Sequence, residues 1–90
     1  MPVTEITVKH EVGLHARPAS MFVKLASSFN CDVSIRNVTT DSKTANAKSI
    51  LGVLSLGVNQ NNVLEITTTG EQEEEAMAAL LQLVEDNFGE

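Results

Sequence analysis

Hydrophobic residues recur along this chain with two different spacings, one typical of strands and one typical of helices. The order of the segments that show each spacing constrains the fold more than any other feature of the sequence. Apolar and polar residues alternate over 3–9 and over 32–37, as they do in half-buried strands. A short apolar run at 63–66 marks a further strand, and a weaker, polar strand is predicted at 43–46. The two alternating segments and these two further segments therefore predict four strands.

Helical spacing appears first between the two alternating strands. Apolar residues recur at steps of three and four over 16–29. Pro18 would lie in the first turn, where a helix tolerates proline. The helix is therefore expected to begin at about His15 or Ala16.

Two more helices are predicted in the second half of the chain. Residues 49–56 are mostly apolar, with Ser49 as the N-cap and Gly57 as the end of the helix. Residues 71–88 show the clearest helical stripe, and glutamates occupy the first turns, where the helix dipole favours negative charge. That stripe consists of Met77, Leu80, Leu81, Val84 and Phe88.

The resulting order β-α-β-β-α-β-α predicts an α+β fold, an open-faced sandwich. In it, a four-stranded antiparallel sheet is covered on one face by three helices. The chain is short enough for a single domain, 1–90. Because Cys31 is the only cysteine, no disulfide closes within the chain, and the apolar core must hold the fold.

Composition also indicates the cellular compartment of the protein and the classes of partner that it lacks. A lone cysteine suits a reducing compartment, and no stretch reaches the roughly 20 apolar residues of a membrane span. The first residues lack the features of a signal peptide, so we expect a cytoplasmic protein without direct membrane insertion. The net charge of −6 argues against nucleic acid as a partner.

The charge is unevenly distributed. The first 48 residues carry all 6 basic and 4 acidic residues, a net +2, whereas the rest carries the other 8 acidic residues, a net −8. If Arg17, Lys24 and Lys48 gather near His15, they form a positive face that steers an anionic partner. The alternative is a solvated acidic helix at the C-terminus without any such role.

The segment 13–19, Gly-Leu-His-Ala-Arg-Pro-Ala, places an imidazole at a helix N-terminus. The first N–H groups of a helix lack internal partners and bind anions such as phosphate. His15 can act as a nucleophile, Arg17 offers a fork suited to phosphate oxygens, and Gly13 permits a tight turn. The alternative is that His15 only caps the helix and Arg17 is a surface charge.

No metal or cofactor is expected. The soft metal ligands are His10, His15 and Cys31, and their spacing matches no zinc pattern. We expect His10 and Cys31 to be structural, with Cys31 a small buried hydrophobe.

The segment 13–19 resembles the HPr family, the histidine-containing phosphocarriers of the bacterial phosphotransferase system. A second, independent match is 48–57, Lys-Ser-Ile-Leu-Gly-Val-Leu-Ser-Leu-Gly, which resembles the regulatory-serine helix of that family. The resemblance covers nearly the whole chain. It implies that Ser49 is phosphorylated by the HPr kinase/phosphorylase in some bacteria.

The resemblance also implies a function. His15 would accept a phosphoryl group on Nδ1 from the phosphoenolpyruvate-dependent enzyme I, with Arg17 and helix amides such as that of Ala16 stabilising it. The group would then pass to a histidine of an enzyme IIA protein or domain in sugar uptake. The chain would be a stoichiometric carrier rather than an enzyme, and we expect it to be a monomer.

The short helix carries the expected docking surface. If Val53 and Leu56 point inward, Ile50, Leu51 and Leu54 form an exposed apolar patch, which is typical of interaction sites. The alternative is that all of them are core residues. The full set of expected docking residues is Ser20, Lys24, Lys48, Ile50, Leu51 and Leu54.

Two other functions stay open. The segment 70–76, Gly-Glu-Gln-Glu-Glu-Glu-Ala, resembles the nitrogen-related branch of the family, which implies a regulatory phosphocarrier. A regulatory binding module that transfers no phosphate is the third possibility, and the presence of His15 argues against it.

Overall fold

Four strands form one antiparallel sheet in the order β1-β4-β2-β3, and three helices accompany it. The structure is a computed structural model that describes residues 1–89. In chain order, the elements are β1 (Val3–Thr7), α1 (Ala16–Ser27), β2 (Cys31–Asn37), β3 (Ala45–Asn46), α2 (Ile50–Ser55), β4 (Val63–Gly70) and α3 (Glu73–Glu85). A 3₁₀ turn, Asn87–Gly89, follows α3. The predicted open-faced α+β sandwich is confirmed.

Side-chain alternation in the strands produces the two faces of the sheet. In β2, Val33 and Ile35 are buried, and in β4, Leu64 and Ile66 are buried, whereas the residues between them are half-buried or exposed. Ile35 lies opposite Ile66 in the β2–β4 pairing, so the two central strands share one apolar face. The helices contribute Phe22, Val53, Ala76, Leu80 and Val84 to the same core.

The longest predicted helix is shorter in the structure than 71–88. It begins at Glu73 because the backbone of Gln72 is not helical, with φ −109° and ψ 28°. The side chains of Glu71 and Gln72 accept hydrogen bonds from Asn30, at 2.7 Å and 2.6 Å. It ends at Glu85, and Phe88 has a left-handed φ of 57°. Phe88 is still buried, as the predicted apolar stripe requires. Its backbone, however, is not helical.

The other boundaries differ by a few residues. The first strand ends at Thr7 rather than at residue 9, and α1 ends at Ser27 rather than at residue 29. β4 extends to Gly70 because Thr68 continues the buried alternation, and its hydroxyl donates to the carbonyl of Glu73. Within residues 1–89, no helix combines the length and the apolar character needed to span a bilayer.

Candidate functional site

His15 is the N-cap of α1, immediately before the first helical residue. Its backbone is extended, with φ −130° and ψ 166°, and its half-buried side chain makes no capping bond. The N–H groups of Ala16 and Arg17 donate to no described residue, and Pro18 has no N–H. The first internal bond of the helix runs from Ala19 to the carbonyl of His15, at 3.4 Å. Two unpaired backbone donors therefore stand beside the imidazole.

The imidazole is held by a residue from another part of the chain. His15 Nε2 lies 3.1 Å from Oδ1 of Asn59, which is 44 residues further along. An amide oxygen only accepts, so the hydrogen of this bond lies on Nε2. In the neutral ring this leaves Nδ1 with its lone pair, and Nδ1 contacts no hydrogen-bond partner within residues 1–89.

Two loops meet closely enough to bring Asn59 to the imidazole. The N–H of Leu14 donates to the carbonyl of Val58 at 2.8 Å. Gly13 has a φ of +77°, and a Cβ there would lie 2.4 Å from the Val58 oxygen and 2.7 Å from the Asn59 Cα. Glycine at position 13 is therefore required by the contact between the loops and by the backbone conformation.

Ala16 adopts an uncommon backbone conformation at the centre of the site. Its φ is +48°, in the left-handed region that costs a residue with a Cβ roughly 1–2 kcal/mol. The strained residue directly follows His15 and carries one of the two unpaired N–H groups. The surrounding contacts thus hold the helix start in a conformation that the isolated chain would avoid.

The three basic residues expected at the site do not gather around His15. Arg17 is exposed, with no bond to any side chain in the described part of the chain, so its guanidinium is available beside His15. Lys24 lies on the same exposed face, about 10 Å further along the helix axis than Arg17. Lys48 Nζ donates to the carbonyl of Phe29 at 2.9 Å, beyond the opposite end of α1. The expected cluster is therefore reduced to Arg17 alone.

The short helix α2 divides its apolar residues between two faces. Val53 and Leu56 are buried, whereas Ile50, Leu51 and Leu54 are among the exposed large hydrophobic residues. The exposed three form the α2 patch. Ser49 is the N-cap of this helix, and its Oγ accepts from the N–H of Gly52 at 3.2 Å. Ser20, another expected docking residue, is exposed on α1.

The other histidine and the cysteine lie in packed surroundings. His10 is 5% exposed, and its Nδ1 accepts from the N–H of Val12 at 3.1 Å. Its ring meets Phe88 edge to face, with centroids 5.9 Å apart. Cys31 is buried as a free thiol. Across residues 1–89, no three His, Cys, Asp or Glu side chains are grouped to hold a metal ion.

Asn59 is the site residue that the sequence did not reveal. It follows α2 in a polar loop, and neither its type nor its spacing points to His15. Only the run Gly57–Asn62, which is rich in turn-forming residues, marks a loop there. The partner of that loop depends on tertiary structure.

Known proteins resemble this chain over its whole length. A family model described as the PTS HPr component phosphorylation site matches residues 3–86. The phosphocarrier protein HPr of Pseudomonas aeruginosa is 40% identical over 91 residues, which cover 100% of this chain and 98% of that protein. The multiphosphoryl transfer protein of Salmonella typhimurium is 36% identical over 86 residues, 96% of this chain but 23% of that protein.

A solved structure supports the same assignment. The crystal structure of HPr-C-His from Thermoanaerobacter tengcongensis superposes with a TM-score of 0.94 at 47% identity, covering 100% of this chain and 98% of that one. Fold and sequence agree at levels that establish a family. The chain belongs to the HPr family, the phosphocarrier proteins of the phosphotransferase system.

Proposed function

We propose that this chain accepts a phosphoryl group on Nδ1 of His15 from the phosphoenolpyruvate-dependent enzyme I and passes it to a histidine of enzyme IIA in sugar uptake. The observation that carries this proposal is the bond from Nε2 to Asn59, because it leaves Nδ1 as the nitrogen with a free lone pair. The transfers would take place in the cytoplasm. The chain serves as a stoichiometric carrier between its two partners.

The transfer step forms one bond and breaks one. The Nδ1 lone pair attacks phosphorus, while the bond from phosphorus to the donor atom of enzyme I breaks and its electron pair leaves with that atom. The imidazole retains its Nε2 hydrogen and becomes positively charged. Asn59 Oδ1 already accepts that hydrogen, so its bond strengthens as charge develops on the ring. No proton has to leave His15.

The phosphoryl oxygens would be bound by groups at the start of α1. The unpaired N–H groups of Ala16 and Arg17 present partial positive charge, and the Arg17 guanidinium offers two parallel donors. These donors are in place before the phosphoryl group arrives, which lowers the cost of binding a transition state that carries negative charge. Transfer to enzyme IIA reverses the same bonding changes.

Docking would use surfaces next to the site. The α2 patch is connected to Asn59 by the short segment Leu56–Val58, so a partner that covers it also reaches His15. Ser20 and Lys24 extend the surface along α1, and Lys48 borders it at the N-terminus of α2. Phosphorylation of Ser49 by an HPr kinase/phosphorylase would add nearly two negative charges at this surface and repel an acidic partner.

The test is phosphate labelling with phosphoenolpyruvate and purified enzyme I. The protein should gain one acid-labile, base-stable phosphate, as a phosphoramidate does. His15→Ala should abolish the labelling and His10→Ala should retain it, with circular dichroism confirming that both variants are folded. Labelling that survives His15→Ala would refute the proposal. Running the reaction with sugar-type and nitrogen-type enzyme I separates the two pathway branches by rate.

A further inference from the structure

The loop that presents Asn59 is closed by a second asparagine. The N–H of Asn62 donates to the carbonyl of Asn59 at 3.0 Å, and Asn62 Oδ1 accepts from the N–H of Asn59 at 2.9 Å. Both backbone polar groups of Asn59 are thus bonded to Asn62. The Asn59 side chain is exposed, so its position depends on how firmly its own backbone is held.

A third asparagine anchors this loop to the sheet. Asn37, at the end of β2, is 0% exposed, and its Nδ2 donates to Asn62 Oδ1 at 3.1 Å and to the carbonyl of Leu56 at 3.3 Å. Its Oδ1 accepts from the N–H of Thr40 at 3.4 Å. A buried amide with both ends bonded has one stable orientation, because losing either bond leaves a buried polar group unpaired.

We infer that Asn62, supported by Asn37, is a positioning residue for phosphoryl transfer, and that it acts on His15 through Asn59. Hydrogen bonds run from the buried sheet to Asn62, from Asn62 to the backbone of Asn59, and from the Asn59 side chain to Nε2. This inference rests on the proposed function, because it assigns a purpose to the orientation of the Nδ1 lone pair.

The length of the bond from His15 Nε2 to Asn59 determines how often Nδ1 presents its lone pair. Protein N–H···O bonds typically span about 2.7–3.2 Å between the heavy atoms, so a loop displacement on the order of 1 Å would separate His15 Nε2 from Asn59 Oδ1 and break the 3.1 Å contact. The His15 ring would then rotate and exchange its hydrogen between the two nitrogens. Nδ1 would present its lone pair less often, which lowers the rate of transfer and leaves the docking surface unchanged.

The central variant is Asn62→Ala in the full chain, with Asn62→Asp as the conservative variant that keeps the acceptor oxygen. The matched control is Gln60→Ala, which removes a 3.3 Å bond from the same loop to the carbonyl of Lys9 and leaves Asn59 untouched. Two readouts are needed. One is the kcat and KM for phosphorylation by enzyme I, and the other is the ¹⁵N–¹H NMR spectrum of the His15 ring, which reports the tautomer.

Asn62→Ala should lower kcat by roughly 3- to 100-fold at unchanged KM, and its ring spectrum should show tautomer exchange. Asn62→Asp should restore both readouts toward wild type, and Gln60→Ala should resemble wild type. In an Asn59→Ala background, Asn62→Ala should have no further effect on kcat, because the bond through which it acts is already absent. Should Asn62→Ala fail to fold, Asn62→Ser, whose hydroxyl is too short to reach the same donors, replaces it.

Three results would overturn the inference: wild-type kinetics and spectrum in Asn62→Ala, a change confined to KM or to the folded fraction, or additive effects with Asn59→Ala. A wild-type protein that enzyme I does not phosphorylate would instead overturn the proposed function. In that case phosphoramidate, a small donor that transfers its phosphoryl group to imidazole and releases ammonia, measures the reactivity of Nδ1 without any partner. Equal phosphoramidate rates for wild type and Asn62→Ala would then count against the positioning role.

Discussion

Leu51 and Val53 are two residues apart on α2 and point to opposite sides of it. The side chain of Leu51 is 77% exposed, whereas that of Val53 is 0% exposed and belongs to the core. A six-residue helix with apolar side chains on both faces thus presents one of them to water. An exposed apolar face of this kind is typical of a docking surface.

Alanine substitutions separate docking from packing on this helix. Leu51→Ala and Leu54→Ala should hardly change the melting temperature but should weaken enzyme I binding, with a central contact costing more than about 1 kcal/mol. Val53→Ala should do the opposite, because a buried truncation leaves a cavity and costs about 1–3 kcal/mol of folding free energy. The measurements are thermal midpoint and partner affinity for each variant. Equal loss of stability in all three, with normal binding by the folded protein, would assign the patch to the core.

Gly13 should tolerate no side chain. Gly13→Ala places a Cβ against Val58 and keeps an unfavourable φ of +77°, so we expect a loss of about 2–4 kcal/mol in unfolding free energy. Gly57→Ala is the matched control, since its φ is +58° but nothing lies within 4 Å of the added atom. It should cost only the roughly 1–2 kcal/mol of a left-handed backbone. Urea unfolding gives both values, and equal losses would show that the close approach of the loops is unimportant.

Charge at position 49 should slow phosphorylation of His15. Ser49→Asp keeps an acceptor for the Gly52 N–H, so the cap and the fold should survive while a negative charge enters the docking surface. Ser49→Asn caps the helix without charge and should transfer at the wild-type rate. The comparison is the initial rate of labelling at low and moderate salt. If Asp and Asn behave alike, Ser49 lies outside the interface.

Glu73 should make stability depend on pH in the acidic range. Hydrogen bonding to the Met1 ammonium, 2.8 Å away, and to the N–H of Gly70, 3.0 Å away, holds the pKa of Glu73 below its usual value. A depressed folded pKa contributes stability that is present above the unfolded pKa of about 4.3 and is lost as the pH falls through the folded value.

The measurement for Glu73 is urea unfolding at about pH 7 and at about pH 3. Glu73→Gln should be less stable than wild type at the higher pH, and the difference should shrink at the lower pH. The neighbouring Glu74→Gln, at an exposed position, should show a smaller difference at both. A Glu73→Gln difference that persists unchanged at the lower pH would exclude ionisation as its origin.

The sequence by itself determined the parts of the protein that depend on near neighbours along the chain. Apolar spacing predicted the three helices, and Pro18 located the start of α1, so His15 was expected at a helix N-terminus. These predictions succeeded because helix periodicity and helix starts depend on residues within about one turn of each other.

Only the tertiary structure decided which distant groups meet. Three contacts join segments that the sequence leaves unrelated. His15 bonds to Asn59, Lys48 Nζ donates to the carbonyl of Phe29, and a left-handed turn buries Phe88. Each depends on how the sheet order β1-β4-β2-β3 brings loops together at its ends. A polar residue in a loop has no periodic pattern, so its partner is set by the packing of the whole domain and not by its neighbours in sequence.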